Sequence, residues 1–389
     1  MQKILPDPSS GDTVIVGMSG GVDSAVAALL LRDAGYSVQG LFMSNWEDDD
    51  GYCTTAADFQ DARRVCETLG IALHRVSFAA EYRARVFGNF LREYAAGRTP
   101  NPDVLCNREI KFGVCLDYMQ RLGAAWIATG HYAQIRRTAG YPELLKAADG
   151  AKDQSYFLHS LAAPALSKTL FPIGGLHKAQ VRGMAHAAGL PVFDKPDSTG
   201  ICFIGERPFQ EFLSRYLHTA PGPIETAEGM VVGEHRGLAL YTLGQRSGLR
   251  VGGRIGAAAA PWYVADKIMA RNALVVVQDQ DHPLLQSDSF DAEQMHWIDP
   301  ADADAPADCM VKTRYRQADM PCAIRLGDAG RWRVTLKRPA RAVTPGQYAV
   351  FYRGERCLGG GVIARRFNAQ LAPGAHRITY NSPISAEGS

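Results

Sequence analysis

Val14-Ile15-Val16-Gly17-Met18-Ser19-Gly20-Gly21-Val22-Asp23-Ser24 decides how the remainder of the chain is read. An apolar run of strand length leads into Ser19-Gly20-Gly21, and Val22, Val26, Leu29 and Leu30 then recur at the spacing of one helix face. The segment reads as strand, glycine turn, helix. Adjacent glycines let backbone N–H groups approach a ligand with no Cβ in the way, and a helix start adds unpaired donors and positive dipole. Such a turn suits an anion. The pattern G-x-x-x-x-G-K-[ST] is excluded, because no lysine stands near and the spacing differs. Spacing alone leaves two readings, a nucleotide site or an ordinary βα turn.

Outward from this turn, Ser37 to Met43 reads as a second strand with Met43 at its carboxyl end, where open α/β sheets bind ligands. Phe59, Ala62, Cys66 and Leu69 mark a helix face stopped by Gly70, and Ile71 to Phe78 is a third strand. Ala124 to Thr129 is another, ending at Gly130-His131. Strands alternating with helices predict an α/β fold with a parallel, doubly wound sheet. Between the third and fourth strands stands Thr99-Pro100-Asn101-Pro102-Asp103-Val104-Leu105-Cys106-Asn107. Its two prolines predict a stiff loop, and Asn107 reads as the cap of a following helix, which puts Cys106 at a helix N-terminus. That setting favours thiolate, although a cysteine there is also commonly structural. Lys152-Asp153-Gln154-Ser155-Tyr156 reads equally as a solvated helix start. In Asp197-Ser198-Thr199-Gly200-Ile201-Cys202-Phe203-Ile204-Gly205, period 2 turns Cys202 away from Ile201 and Phe203.

Beyond Tyr216 the pattern changes to short strands with glycine turns. The expected divisions are a catalytic domain over 1–215, a small central domain over 216–283, a C-terminal β-barrel over 284–369 and a disordered tail over 370–389. Within the barrel Lys312, Arg314 and Arg316 are expected to alternate on one strand face with Tyr315 between them, as a phosphate-backbone contact or an ordinary solvated face. The 389 residues carry a formal charge of +2, so charge alone neither demands nor excludes nucleic acid. No basic, apolar leader opens the chain and no run approaches about 18 apolar residues, so a cytoplasmic protein without membrane contact is expected. The 8 cysteines show no C-x-x-C and the 10 histidines no H-x-x-x-H, so no protein-built metal site is expected.

Ser-Gly-Gly-x-Asp-Ser resembles the loop of the PP-loop ATP pyrophosphatases, which holds the pyrophosphate end of ATP while the α-phosphate is attacked. Ala25 stands where many relatives carry a second hydroxyl. Together with Asn-Pro-Asp-x-x-Cys-Asn, Gly130-His131, Lys-Asp-Gln-Ser-Tyr-Phe, Ser-Thr-Gly-Ile-Cys-Phe-Ile-Gly-Glu-Arg and Arg-Tyr-Arg-Gln, it is similar from about residue 13 to 365 to the bacterial tRNA-specific 2-thiouridylases. The resemblance implies that ATP adenylates the C2 oxygen of the wobble uridine and a persulfide then delivers sulfur. It implies Cys202 as persulfide carrier and Cys106 as second catalytic thiol. It implies ATP at Gly17, Met18, Ser19, Gly20, Gly21, Val22, Asp23, Ser24, Met43 and Gly130, with Mg²⁺ accompanying ATP on its phosphates and Asp23 a candidate contributor. Asn101, Pro102 and Asp103 resemble the segment that meets the target base, and His131, Lys152, Asp153, Gln154, Arg314, Tyr315 and Gln347 the tRNA contacts. The implied partners are the tRNA anticodon stem-loop and a persulfide-carrying donor protein, either a cysteine desulfurase or a sulfur-relay protein.

Two other classes compete. A PP-loop ligase or amidotransferase acting on a small metabolite would have no use for Cys106, Cys202 or a barrel. A catalytically dead tRNA-binding module would not need Ser19, Asp23 and both cysteines.

Overall fold

An apolar strand without alternation has to be covered on both faces, and the sheet meets that requirement. The computed structural model describes residues 6, 12–46, 55–197, 209–217, 219–251, 260–304 and 309–369. Cys202 and the tail expected at 370–389 lie outside the described residues. In β1 (Thr13–Gly17) Ile15 turns to one core together with Leu41 and Ile127. Val14 and Val16 turn to the other with Val38, Phe42 and Ala128. Helix α1 (Val22–Asp33) lays Val22, Ala25, Val26 and Leu29 into that second core, which α2 (Thr55–Leu69) joins through Ala62, Val65, Cys66 and Leu69. Full burial of each such aliphatic side chain contributes about 1.5–3 kcal/mol. The opposite face is covered by an aromatic group that includes Tyr82, Phe87, Phe90 and Phe112.

β2 (Ser37–Ser44), β3 (Ala72–Ser77) and β4 (Trp126–Thr129) pair parallel with β1 or with each other. The chain then makes a hairpin, β5 (Gln134–Arg136) and β6 (Glu143–Leu145), before β7 (Thr169–Leu170) completes the parallel sheet in the order β3-β2-β1-β4-β7. Order reverses at β1, whose neighbours β2 and β4 lie on either side. Its carboxyl end is therefore the switch point at which doubly wound sheets bind ligands.

A second sheet holds β8 (Gly222–Thr226), β9 (Val231–His235), β10 (Tyr263–Ile268) and β11 (Ala273–Val277). Six further strands, β12 (Gln286–Trp297), β13 (Cys309–Lys312), β14 (Met320–Leu326), β15 (Trp332–Arg341), β16 (Tyr348–Arg353) and β17 (Arg356–Phe367), close into a barrel through pairing of β12 with β17. The fold class is the one expected. One detail departs from the expected divisions, because β6 pairs with β17 and so carries residues 143–145 onto the barrel sheet.

The alternating basic strand is corrected. The chain leaves β13 at Lys312, turns with Arg316 at φ +62°, and re-enters the barrel only at Met320. Lys312, Arg314 and Arg316 thus share no strand face.

All three parts of the fold meet on the segment that precedes Asn101. Lys267, 1% exposed, donates from Nζ to the Gly97 carbonyl at 3.1 Å. Thr99 bonds Thr242 between hydroxyls at 3.0 Å and donates its N–H to Pro345 O at 3.0 Å, while Gln347 Nε2 donates to Thr99 O at 2.7 Å. The buried Arg98 pairs with Glu93 and with Glu293 of the barrel.

Burial pushes the Lys267 ammonium down to about 7 from its ordinary value, against the pull of Asp266. Between that value and the ordinary lysine value the unfolded chain holds a proton that the folded chain does not, so stability rises with pH across this window. The melting temperature of the wild type should therefore gain on that of Lys267→Met between about pH 7 and pH 9.5. Parallel melting curves for the two proteins across that range would show that the buried amine does not titrate there.

Candidate functional site

Gly20 sits at φ +76°, and a Cβ on it would stand 2.3 Å from the Asp58 carbonyl oxygen, so both conformation and space require glycine. Gly21 then caps α1 in extended backbone without a side-chain cap bond. The opening N–H groups of the helix are left for a ligand. Ser24 fixes the shape of the turn from inside. Its hydroxyl donates to Gly21 O at 3.0 Å, accepts from Ser19 N at 3.2 Å and meets Ser19 Oγ at 3.1 Å.

Gly130 lies against the same helix start. A Cβ there would fall 2.6 Å from Asp23 C and from Ser24 N, so only glycine lets the end of β4 approach α1 this closely. Met43 reaches the rim from β2, its Cε 4.0 Å from where a Gly17 Cβ would stand. Gly17, Met18, Ser19, Gly20, Gly21, Val22, Asp23, Ser24, Met43 and Gly130 are thereby brought to one edge of the parallel sheet.

A charged cluster that the sequence reading missed faces this edge. Lys178, the first residue of the helix Lys178–Ala187, places Nζ 2.8 Å from both Asp23 oxygens and 2.7 Å from Asp197 Oδ1. Tyr132 donates its hydroxyl to Asp23 Oδ1 at 2.8 Å. Lys152 at 2.6 Å and Arg182 at 3.1 Å also reach Asp197. Burial alone would raise the Asp197 carboxyl, but the bonds from Lys152 and Lys178 outweigh it and hold the group at about 2. Lys195 closes the far side, donating to Gly20 O at 3.0 Å, Asp58 at 2.8 Å and Asp61 at 2.6 Å. A cation in the first turn of a helix runs against the macrodipole. That anomaly at Lys178 was the available signal.

The second thiol's setting is corrected. The helix begins at Pro102, not after Cys106: Asn101 caps it by accepting from Asp103 N at 3.2 Å, and Pro102 occupies the first turn, where its missing N–H costs nothing. Asn107 is no cap and instead donates to Asp103 O at 3.0 Å. Cys106 therefore lies more than a turn inside, 4% exposed, where a wider π-type winding, Cys106–Val114, takes over. Windings of this type recur at functional sites. Phe112 of that winding packs on His131, ring centroids 5.9 Å apart, which connects the helix of Cys106 to the edge that carries the glycine turn.

His131 is buried, shares a 2.8 Å bond with Thr129 Oγ1, and is held neutral by burial and by the Lys111 charge. Burial raises the Asp103 carboxyl, against Lys111. Lys152-Asp153-Gln154 is not a solvated helix start: Asp153 accepts from Ala147 N, Ser155 N and Ser155 Oγ, and Gln154 accepts from Tyr132 N. Arg314 places Nη2 on Leu243 O, Ala342 O and Thr344 Oγ1, which makes it a strut between the loop that precedes β10 and the barrel. Tyr315 packs on Phe157 at 4.4 Å and Gln347 holds Thr99. Of the expected tRNA-contact residues, His131, Lys152 and Gln154 are joined to the edge that carries the glycine turn and Gln347 to the segment before Asn101, whereas Arg314 and Tyr315 bind other parts of the chain. Cys202 lies outside the described residues.

A glycine turn at the switch point of a parallel sheet, backed by a helix-borne thiol and followed by a closed barrel, defines a multidomain enzyme of the HUP α/β class. Three family models match in series, described as tRNA methyl transferase HUP domain over residues 12–206, tRNA methyl transferase PRC-barrel domain over 210–278 and aminomethyltransferase beta-barrel domain over 287–363. A protein of Methylococcus capsulatus named tRNA-specific 2-thiouridylase MnmA is 58% identical over 361 residues, 92% of this chain and 97% of that one. The protein of that name from Vibrio cholerae strain O395 is 54% identical over 373 residues, 94% and 100% of the two chains. The chain belongs to the tRNA-specific 2-thiouridylase family. Among the described residues no helix is long and apolar enough to cross a membrane.

Gly130→Ala should separate β4 from α1. The expected result is a lower melting temperature together with an ATP affinity reduced by about tenfold or more, read by calorimetry. Unchanged ATP affinity would show that the close approach does not shape the nucleotide edge.

Proposed function

We propose that the chain catalyses ATP-dependent 2-thiolation of the wobble uridine of tRNA. The observation that carries the reading is the uncapped start of α1 behind Ser19-Gly20-Gly21, joined through His131 and Phe112 to the helix that holds Cys106. A methyl transfer, which the family descriptions mention, would leave both that turn and the thiols without a task.

Uracil's C2 oxygen is a poor leaving group. Its attack on the α-phosphate of ATP forms an O–P bond and expels pyrophosphate, after which the oxygen can depart with AMP. The opening donors of α1 suit the pyrophosphate end, where charge accumulates as the bond breaks. Sulfur then arrives as the outer atom of a persulfide on Cys202, and its attack on C2 displaces AMP. Cys106 thiolate attacks the Cys202 sulfur, the thiolated base leaves, and a disulfide remains for an external thiol to reduce; alternatively, Cys106 resolves the persulfide directly and the released sulfide attacks C2. Cys202 is loaded by a persulfide-carrying donor protein, a cysteine desulfurase or a sulfur-relay protein.

Asn101, Pro102 and Asp103 are proposed to meet the target base, which must leave its stack to be reached. The segment just before them is held by Lys267 at Gly97 and by Thr242 and Gln347 at Thr99, so loss of the barrel's grip should be felt at the base. Mg²⁺ is proposed to travel with ATP on its phosphates. Asp23 fits it only as a substitute ligand, because Lys178 and Tyr132 now occupy its oxygens. Among the described residues no group of three His, Cys, Asp or Glu is placed to hold a metal.

ATP should be split to AMP and pyrophosphate in a tRNA-dependent manner; ADP and phosphate as products would contradict the reading. With a protein persulfide donor, Cys202→Ala should carry no transferable sulfur, whereas Cys106→Ala should load and then fail to release thiolated tRNA. Full thiolation by Cys202→Ala, measured by mass analysis of wobble nucleosides, would overturn the assignment of that thiol.

A further inference from the structure

The turn from Gly17 to Ser24 contains no cation of its own, although the reaction it serves concentrates negative charge on a departing pyrophosphate. The structure delivers one from 155 positions away along the chain. Lys178 has three donors on a flexible four-carbon stem. They point at both oxygens of Asp23 and at Asp197, and the side chain keeps 13% of its surface exposed. Asp23 is the second residue of α1, so the ammonium is tied to the first turn of the helix, whose cap residue Gly21 makes no side-chain cap bond. Its backbone is fixed independently, since Lys178 N donates to Asp149 Oδ2 at 3.0 Å and His177 and Gln180 form a capping box around the helix start. The helix therefore stays in place if the side chain moves.

We propose that Lys178 is the residue that neutralises the β- and γ-phosphates of ATP, exchanging its bonds to Asp23 for phosphate oxygens while it remains on Asp197. The proposal rests on the reading of Gly17 to Ser24 as a pyrophosphate-binding turn. Asp197 is suited to be the permanent partner, because Lys152 and Arg182 share it and its carboxyl stays ionised far below neutral pH. The exchange frees Asp23 for the Mg²⁺ that accompanies the phosphates. Lys195 differs in kind. Its ammonium is committed to the Gly20 carbonyl, Asp58 and Asp61, so it holds the wall of the turn and is a positioning residue.

A lysine that only cemented Asp23 to Asp197 would affect every nucleotide alike. A phosphate ligand would distinguish them. Calorimetric titration of the full chain with ATP, pyrophosphate and AMP, in the presence of Mg²⁺, reads the difference. In Lys178→Ala the affinities for ATP and pyrophosphate should fall about ten- to a hundredfold, the range for a lost charged hydrogen bond, while AMP affinity stays within about twofold. Lys178→Arg should recover part of the loss. If the alanine variant does not fold, Lys178→Gln, which keeps most of the stem and an uncharged donor, should show the same selective loss. Equal weakening of AMP and ATP, or no weakening of pyrophosphate, would overturn the proposal. Failure of the wild type itself to bind ATP and pyrophosphate would overturn the reading of the turn, and the proposal with it.

Discussion

The contact between Gly130 and the first turn of α1 is the constraint on which the site depends. Backbone meets backbone there at a distance that no side chain tolerates, and three consequences follow. The end of β4 is brought to the switch point. His131 is placed in the core beside Phe112. Tyr132, two residues on, can then reach Asp23 with its hydroxyl. One glycine thus connects the glycine turn, the helix of Cys106 and the charged cluster.

The second organising contact lies between parts of the fold. Gly97 to Asp103 has little regular structure before Asn101, and a segment of this kind would ordinarily pay conformational entropy for any fixed shape. Here the central sheet supplies Lys267, the loop before its strand β10 supplies Thr242, the barrel supplies Pro345, Gln347 and Glu293, and Gly346 at φ +91° permits the close approach. The proposed base-binding segment is therefore a product of the whole chain. Arg314 and Gln347 act in the same way: as observed, each is a strut, and any contact with tRNA requires them to leave protein acceptors or to use their remaining donors.

What was legible in the sequence was local. The strand, glycine turn and helix at 13–33 announce themselves, because β1 is buried on both faces and reads as continuous apolar residues, and because glycine is demanded by backbone geometry. The barrel was legible as short strands, but β12 was not: Gln286 to Trp297 is rich in polar residues, since it lies between β15 and β17 and its register shifts break the period-2 pattern. The cap at Asn101 was hidden by Pro102, a residue that excludes helix interiors yet favours the first turn. Lys178, Lys195 and Asp197 escaped because a charge cluster is assembled by tertiary contact, and no spacing along the chain encodes it. The β6–β17 pairing escaped for the same reason.

The central claim is that the C2 oxygen of the wobble uracil is joined to the α-phosphate of ATP before sulfur arrives. Supplying tRNA with heavy oxygen at that C2 position, together with ATP and a persulfide donor, tests it most directly. The account predicts that the AMP released during turnover carries one heavy oxygen in its phosphate and that thiolated nucleoside forms in equal amount. AMP without the label, alongside thiolated tRNA, would contradict it.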